Sequence, residues 1–259
     1  MPLVTVVMPV FNSEATVGEA IRSVTSQTFG DLELIVVDDG STDGTLDIVE
    51  SYSKNDPRVF WFRLDGNQGA AVARNTAIGK ALGRYIAFLD SDDAWAPEKL
   101  ERQVFFMREN SIELSYTAYS KVGENGEWLG HVGVPDKVTY HQLLKTCVIG
   151  CLTAMYDTKK LGKVYMPLVR KRQDYGLWLN ILKLVPHAMG INEPLAFYRV
   201  RSDSISADKK KAAMHTWKLY REVEGLGKVR ASYYFLNYSI RGVLRHHAPR
   251  LARVIGVMD

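Results

Sequence analysis

Leu34-Ile35-Val36-Val37-Asp38-Asp39-Gly40-Ser41-Thr42-Asp43-Gly44 is the stretch that decides the fold. Four apolar residues, three of them β-branched, run into a polar turn without alternating, the pattern of a strand buried on both faces. The turn reads as loop and cap for a helix carrying Leu46, Val49 and Tyr52. Upstream, residues 3–8 form another apolar run, which Pro9 is expected to end. Val17, Ala20, Ile21 and Val24 follow at i, i+3, i+4 and i+7, one helical face with Asn12 or Ser13 as its cap. Downstream come a third strand at 59–62, an Ala-rich helix at 69–82 and a fourth strand at 85–89. Strand–helix alternation of this kind predicts an α/β fold with a mostly parallel central sheet covered on both faces. Ligands of such sheets bind beyond the carboxyl ends of the strands. Those ends hold Pro9-Val10-Phe11-Asn12, Asp38-Asp39-Gly40-Ser41 and Asp90-Ser91-Asp92-Asp93.

The 259 residues are 46% hydrophobic and 24% charged, enough for one large core with a smaller appendage. No run of about 18 apolar residues occurs, so no transmembrane helix is legible. The first strand begins without a basic n-region or cleavage site, which reads as a cytoplasmic protein with no signal peptide. Beyond the fourth strand the pattern predicts a helix over 97–110, a strand over 113–119 and a turn at Gly123-Glu124-Asn125-Gly126. Helices and short strands follow across 139–200, then a polar stretch at 202–211 and a helical remainder interrupted near Pro249. Cys147 and Cys151, lacking a partner Cys/His pair, read as two small hydrophobes on one helical face rather than half a metal site.

The overall charge of +4 conceals an asymmetry. Residues 209–259 hold eleven Lys/Arg against three Asp/Glu, a net of +8, so residues 1–208 carry −4. A basic tail points to an anionic partner, and no nucleic-acid-binding motif is present, which favours a membrane surface. Val229, Tyr233, Leu236, Ile240, Val243 and Leu244 fall on one helical stripe, continued by Leu251, Val254, Ile255 and Met258 beyond Pro249. Lys228, Arg230, Arg241, Arg245, Arg250 and Arg253 surround it. Such a helix suits an anionic membrane interface; the competing reading packs the stripe on the body of the protein or into a homodimer.

Asp90-Ser91-Asp92 carries the strongest chemical signal. Carboxylates at i and i+2, just past a buried strand, can converge on one hard cation, Mn²⁺ or Mg²⁺, shared with substrate phosphates. The bland alternative is an acidic turn. Asp38-Asp39, at the same edge, suits a base N–H or a ribose hydroxyl, or else a helix N-cap.

Four blocks in order resemble family 2 glycosyltransferases with the GT-A fold. They are residues 6–12, 36–45, Asn67-Gln68-Gly69 with Ala73-Arg74-Asn75, and Phe88-Leu89-Asp90-Ser91-Asp92-Asp93. The resemblance implies a catalytic domain over 1–208, with a nucleotide-sugar half at 1–95 and an acceptor half at 96–208, followed by a basic helical extension at 209–259. It implies that Pro9, Phe11, Asn12 and Asp39 hold uracil and ribose, and that Asn67, Gly69, Arg74 and Ser91 line the nucleotide pocket. Asp90 matches the residue nearer the ribose and Asp92 the metal ligand bridging to the diphosphate. In Arg172-Gln173-Asp174-Tyr175-Gly176-Leu177-Trp178, Asp174 matches the catalytic base, with Gln173 where the family usually has Glu. Arg199, Arg201, Ser202 and Ser204 resemble the segment that closes over the diphosphate.

The implied activity is inverting transfer of a hexose or N-acetylhexosamine from a UDP-sugar to a saccharide or polyprenyl-diphosphate-linked acceptor. Bacterial surface-polysaccharide assembly, on O-antigen or capsule, would be its setting. The Q-x-x-R-W motif of processive synthases is absent. A sugar nucleotidyltransferase would need a Gly-rich, basic phosphate loop after the first strand, which Pro9-Val10-Phe11-Asn12-Ser13 does not supply. A catalytically inactive nucleotide-sugar-binding protein is the remaining alternative, disfavoured by the presence of Asp90, Asp92 and Asp174 together.

Overall fold

The structure, a computed structural model, describes residues 1–200 and 209–247. Its first half runs β1 (Val4–Val10), α1 (Val17–Thr25), β2 (Leu32–Asp38), α2 (Thr45–Asn55), β3 (Val59–Arg63), α3 (Ala70–Lys80) and β4 (Tyr85–Phe88). β5 (Ala94–Trp95), α4 (Lys99–Glu109), β6 (Leu114–Val122), β7 (Trp128–Val132), β8 (Lys137–Val138) and α5 (Tyr140–Lys145) follow. A 3₁₀ turn at Cys151–Thr153 leads to β9 (Met155–Asp157), α6 (Thr158–Leu161), α7 (Gln173–Leu182) and β10 (Ala188–Arg199). After the undescribed 201–208 come α8 (Lys209–Lys218), a π turn (Leu219–Val223) and α9 (Lys228–His247). The sheet order is β3-β2-β1-β4-β9-β6-β10-β5, with β7 beside β6 and β8 beside β10. β3-β2-β1-β4 are mutually parallel, and antiparallel neighbours enter only beyond β4.

Every residue of β1 and β2 is buried, because helices cover both faces. Val4, Val6, Met8 and Val10 face a core with α1, α2 and α4, while Val7 faces one with α3, α5 and α7. The period of two thus sends alternate side chains into separate cores. On α1, Val17, Ala20, Ile21 and Val24 are all fully buried. Its three larger aliphatic side chains contribute about 1.5–3 kcal/mol each.

Local expectations fail at three places. Pro9 does not end β1; it pairs with Val37 inside the strand. The Val7 carbonyl accepts from Leu89, so two residues later Pro9 turns its nitrogen toward β4, whose pairing has already ended at Val7–Phe88. No ladder bond is lost there, which is the condition for proline in a strand. Second, neither Asn12 nor Ser13 caps α1: Thr16 holds the N-cap position without a side-chain bond. The Ser13 amide donates to Thr45 Oγ1 (2.7 Å), and Asn12 Oδ1 accepts from Thr42 (2.9 Å). Both are spent on tying neighbouring loops. Third, Cys147 lies beyond α5 and Cys151 opens the 3₁₀ turn, so the two free cysteines do not share a helical face.

The extension docks on the body. Leu219, Tyr220 and Ala231 belong to the core on the α3–α5–α7 side of the sheet. Tyr220 donates to the Leu144 carbonyl and shares a 3.0 Å bond with Tyr175, while Tyr140 donates to Glu224 (2.5 Å). The stripe read from the sequence is not the face that docks. Val229, Tyr233, Leu236, Ile240 and Val243 point outward, and its continuation from Leu251 lies outside the described residues.

Candidate active site at the carboxyl edge of the sheet

Three loops interlock where β1, β2 and β4 end. Asp39, almost fully buried, accepts the amides of Gln68 (2.7 Å) and Gly69 (2.8 Å) on its two oxygens, drawing residues 67–69 over the edge. Gly40 permits the approach: its φ is +81°, and a Cβ there would lie 2.8 Å from the Gly66 carbonyl carbon. Asp38 instead holds its own turn, accepting the Ser41 amide (3.0 Å) and pairing with Arg63 (3.2 Å). Asp43, not Asp38 or Asp39, closes the start of α2 by accepting from Thr45. Asn12 sits at φ +46°, and Ser13 shares a 2.8 Å bond with Ser91 that joins the β1 and β4 loops. Pro9 is buried within β1, so only Phe11 (44% exposed) and Asn12 extend beyond the strand.

Asp90, Asp92 and Asp93 crowd one turn between two arginines. Arg74, on α3, reaches Asp90 Oδ1 at 2.5 Å. Burial, the largest single influence, would lower its pKa, but the charges of Asp90 and Cys151, the hydrogen bond to Asp90 and the charge of Asp174 together outweigh it and raise it. Its Nε is buried without a hydrogen-bond partner. Burial, then the charges of Asp92 and Asp90, hold the Asp93 carboxyl well above the usual carboxylate range, against the opposing Arg199. Arg199 ends β10 and clamps the turn. Its amide donates to Asp93 (2.9 Å), its Nε to the Asp92 carbonyl (3.1 Å), and its two other nitrogens to the Glu124 carbonyl and the Glu19 carboxylate. The guanidinium implied to face the diphosphate is therefore engaged by protein oxygens. Arg201, Ser202 and Ser204 lie outside the described residues.

This turn fits a divalent cation. Three carboxylates in four residues, with the charges of Asp92 and Asp90 raising the proton affinity of Asp93, make a field that a cation relieves. Among the described residues no three His, Cys, Asp or Glu side chains converge as a ready-made cage. A cation here would take one or two carboxylates from Asp90 and Asp92 and complete its shell with phosphate and water oxygens, as Mg²⁺ and Mn²⁺ do.

Asp174 approaches from the later half of the chain. It lies in the first turn of α7, whose N-cap is Arg172 in a left-handed conformation (φ +67°), so it is not the N-cap itself. Its charge acts on both Arg74 and Cys151. Cys151, read from the sequence only as a small hydrophobe, adjoins the same cluster. Its buried thiol sits within the fields of Arg74, Asp90 and Asp174, and burial pushes its pKa well up, leaving an inert wall. The turn carrying it is held from behind. Trp95 Nε1 donates to the Leu152 carbonyl (2.8 Å) and Gln103 to the Thr153 carbonyl (3.0 Å). Fully buried Lys99 bonds Gln103 (2.8 Å) with its ammonium 4.0 Å above the Trp95 ring. Asn75 fastens the segment before α7 by two bonds to the Met166 backbone (2.8 and 2.9 Å).

A half-parallel sheet with a carboxylate turn and interlocked loops at its carboxyl edge defines a nucleotide-binding α/β enzyme fold. Comparison narrows the class: residues 5–156 match glycosyl transferase family 2, and the chain belongs to that family. It is 45% identical over 243 residues to TuaG of Bacillus subtilis (strain 168), a glycosyltransferase whose name assigns it to teichuronic acid biosynthesis. That match covers 93% of this chain and 96% of TuaG. It is 40% identical over 247 residues to the Escherichia coli UDP-Glc:alpha-D-GlcNAc-diphosphoundecaprenol beta-1,3-glucosyltransferase WfgD, covering 94% of this chain and 95% of WfgD. Among solved structures, the mannosyltransferase PcManGT from Pyrobaculum calidifontis, in complex with GDP-Man and Mn²⁺, superposes with a TM-score of 0.69. At 18% identity, over 98% of this chain and 79% of that one, the likeness shows the shared fold.

Proposed function

We propose that this glycosyltransferase moves a hexose or N-acetylhexosamine from a UDP-sugar to a polyprenyl-diphosphate-linked saccharide, with inversion, in assembly of a bacterial surface polysaccharide. The observation that carries the reading is the convergence of Asp90, Arg74 and Asp174, from the two halves of the chain, around one carboxylate turn. The names of TuaG and WfgD support the setting and the lipid-linked acceptor. Such an acceptor would bring the protein to the inner face of the cell membrane; among the described residues no helix is long and apolar enough to cross it.

In this reading Phe11, Asn12, Asp39, Asn67 and Gly69 border the uridine, and Asp90 is oriented by Arg74 toward the ribose side. Asp92 would hold Mn²⁺ or Mg²⁺; that PcManGT is in complex with Mn²⁺ supports a divalent ion. When bound, the ion supplies charge neutralisation to the departing diphosphate. Asp174 accepts the proton of the attacking acceptor hydroxyl as the new glycosidic bond forms and the bond to UDP breaks. Arg199 acts through the Asp92 turn, fixing its backbone. The test presents UDP-glucose, UDP-galactose, UDP-GlcNAc and UDP-GalNAc, each with Mn²⁺ and a GlcNAc-diphospholipid acceptor, and weighs the product by mass spectrometry. One donor should extend the acceptor by a single sugar. No extension with any of the four overturns the reading.

A further inference from the structure

Helix α9 has two unlike faces. Ala231 is buried, Tyr234 and Phe235 pack against the core, and Tyr238 accepts from Arg172 at 2.7 Å. On the other side Val229, Tyr233, Leu236, Ile240 and Val243 are 85%, 53%, 60%, 50% and 59% exposed. They recur at i, i+4, i+7, i+11 and i+14, one continuous stripe. Lys228 and Arg230 stand about 100° to either side of Val229 around the helix, flanking the stripe, and Arg241 lies beside it further on. Isolated exposed apolar residues are ordinary, but a contiguous row rimmed by cations marks an interaction surface.

Charge selects the occupant. The extension carries a net +8 over residues 209–259. Two copies meeting stripe to stripe would bring the Lys228, Arg230 and Arg241 rims of like charge together, whereas an anionic lipid leaflet offers the opposite sign. The Tyr238–Arg172 bond also sets the later turns of α9 beside the start of α7, which carries Asp174. A surface lying along the stripe is one helix width from that contact, since Tyr238 lies on the opposite face of α9.

We propose that the outer face of α9 docks on an anionic bilayer, the apolar stripe entering the headgroup–acyl boundary and the flanking cations meeting lipid phosphates. The inference rests on the lipid-linked acceptor proposed above for its purpose, and on α9 alone for its geometry. The test is co-sedimentation of the full chain with vesicles of phosphatidylcholine, alone or mixed equally with phosphatidylglycerol. A variant carrying Leu236→Gln, Ile240→Gln and Val243→Gln runs alongside, its fold checked by circular dichroism, with transfer to a water-soluble short-chain acceptor as control. The native chain should bind the mixed vesicles only, and the variant should lose about tenfold or more in affinity while keeping soluble transfer. Equal binding by both chains, or none by the native chain, overturns the proposal. So does a native dimer in light scattering that the variant turns into a monomer. Vesicle binding without transfer to any acceptor would sink the functional reading and leave the docking surface standing; soluble transfer without vesicle binding would do the reverse.

Discussion

Asp92 and Asp174, one in the carboxylate turn and one at the start of α7, are each expected to carry one task. Asp92→Ala should abolish transfer in Mn²⁺ while the chain still folds cooperatively, because its side chain is only partly buried. Full activity in that variant would remove the metal assignment. Asp174→Asn should keep UDP affinity by calorimetry and lower turnover by about 10²-fold or more, the scale of lost general-base help. Weakened UDP binding at unaltered turnover would make Asp174 a donor ligand instead. The positions of Asp90 and Asp92 beyond a strand end follow from a local pattern, and the resemblance placed Asp174 at a helix start, where it lies. The Arg74–Asp90 pair and the Cys151 wall were not legible: residues 16 and more apart meet only after the sheet has formed. The same holds for Arg199, whose residue type suggested phosphate while its partners are Asp92, Asp93, Glu19 and Glu124.

At the scale of elements, α4 and the β2–α2 turn make separable claims. Burial lowers the Lys99 pKa to about 7, against about 10.4 in an unfolded chain. Between those values the unfolded state binds the extra proton, so folding gains stability as pH rises through the window. Relative to Lys99→Met, the native chain should gain on the order of 1 kcal/mol per pH unit from about pH 7 to about 10 in urea unfolding. A flat difference would contradict the lowered pKa of the buried Lys99 amine. Gly40→Ala should cost more than about 1 kcal/mol, since it combines left-handed backbone with a Cβ against Gly66. It should weaken UDP binding too, because the same contact seats residues 67–69. Helices α1 to α4 were readable from periodicity, and α1 buries the four residues that its spacing named. Pro9 misled because the damage a proline does depends on which neighbour its nitrogen faces, a fact of pairing rather than of sequence. The two-residue strands β5 and β8 were equally hidden, since only their partner β10 makes them strands.

Across the whole molecule, the parallel half was legible as far as β4, where each strand and helix announces itself locally. Beyond it, β9 enters antiparallel between β4 and β6, an order set by long-range packing that no local pattern encodes. In the extension, the apolar stripe was legible, but the face that packs on the body was not. The helix packs by Ala231 and tyrosines, side chains a hydrophobic count ranks low, and leaves the stronger stripe outside. The central claim remains one site, donor and acceptor on either side of a metal-binding carboxylate turn. The most direct test titrates a chelator into the native enzyme with its UDP-sugar, Mn²⁺ and lipid-linked acceptor, counting UDP and extended acceptor together. UDP and product should appear one for one, vanish in excess chelator and return with added Mn²⁺. UDP formation that persists in chelator, or proceeds equally without acceptor, would contradict it.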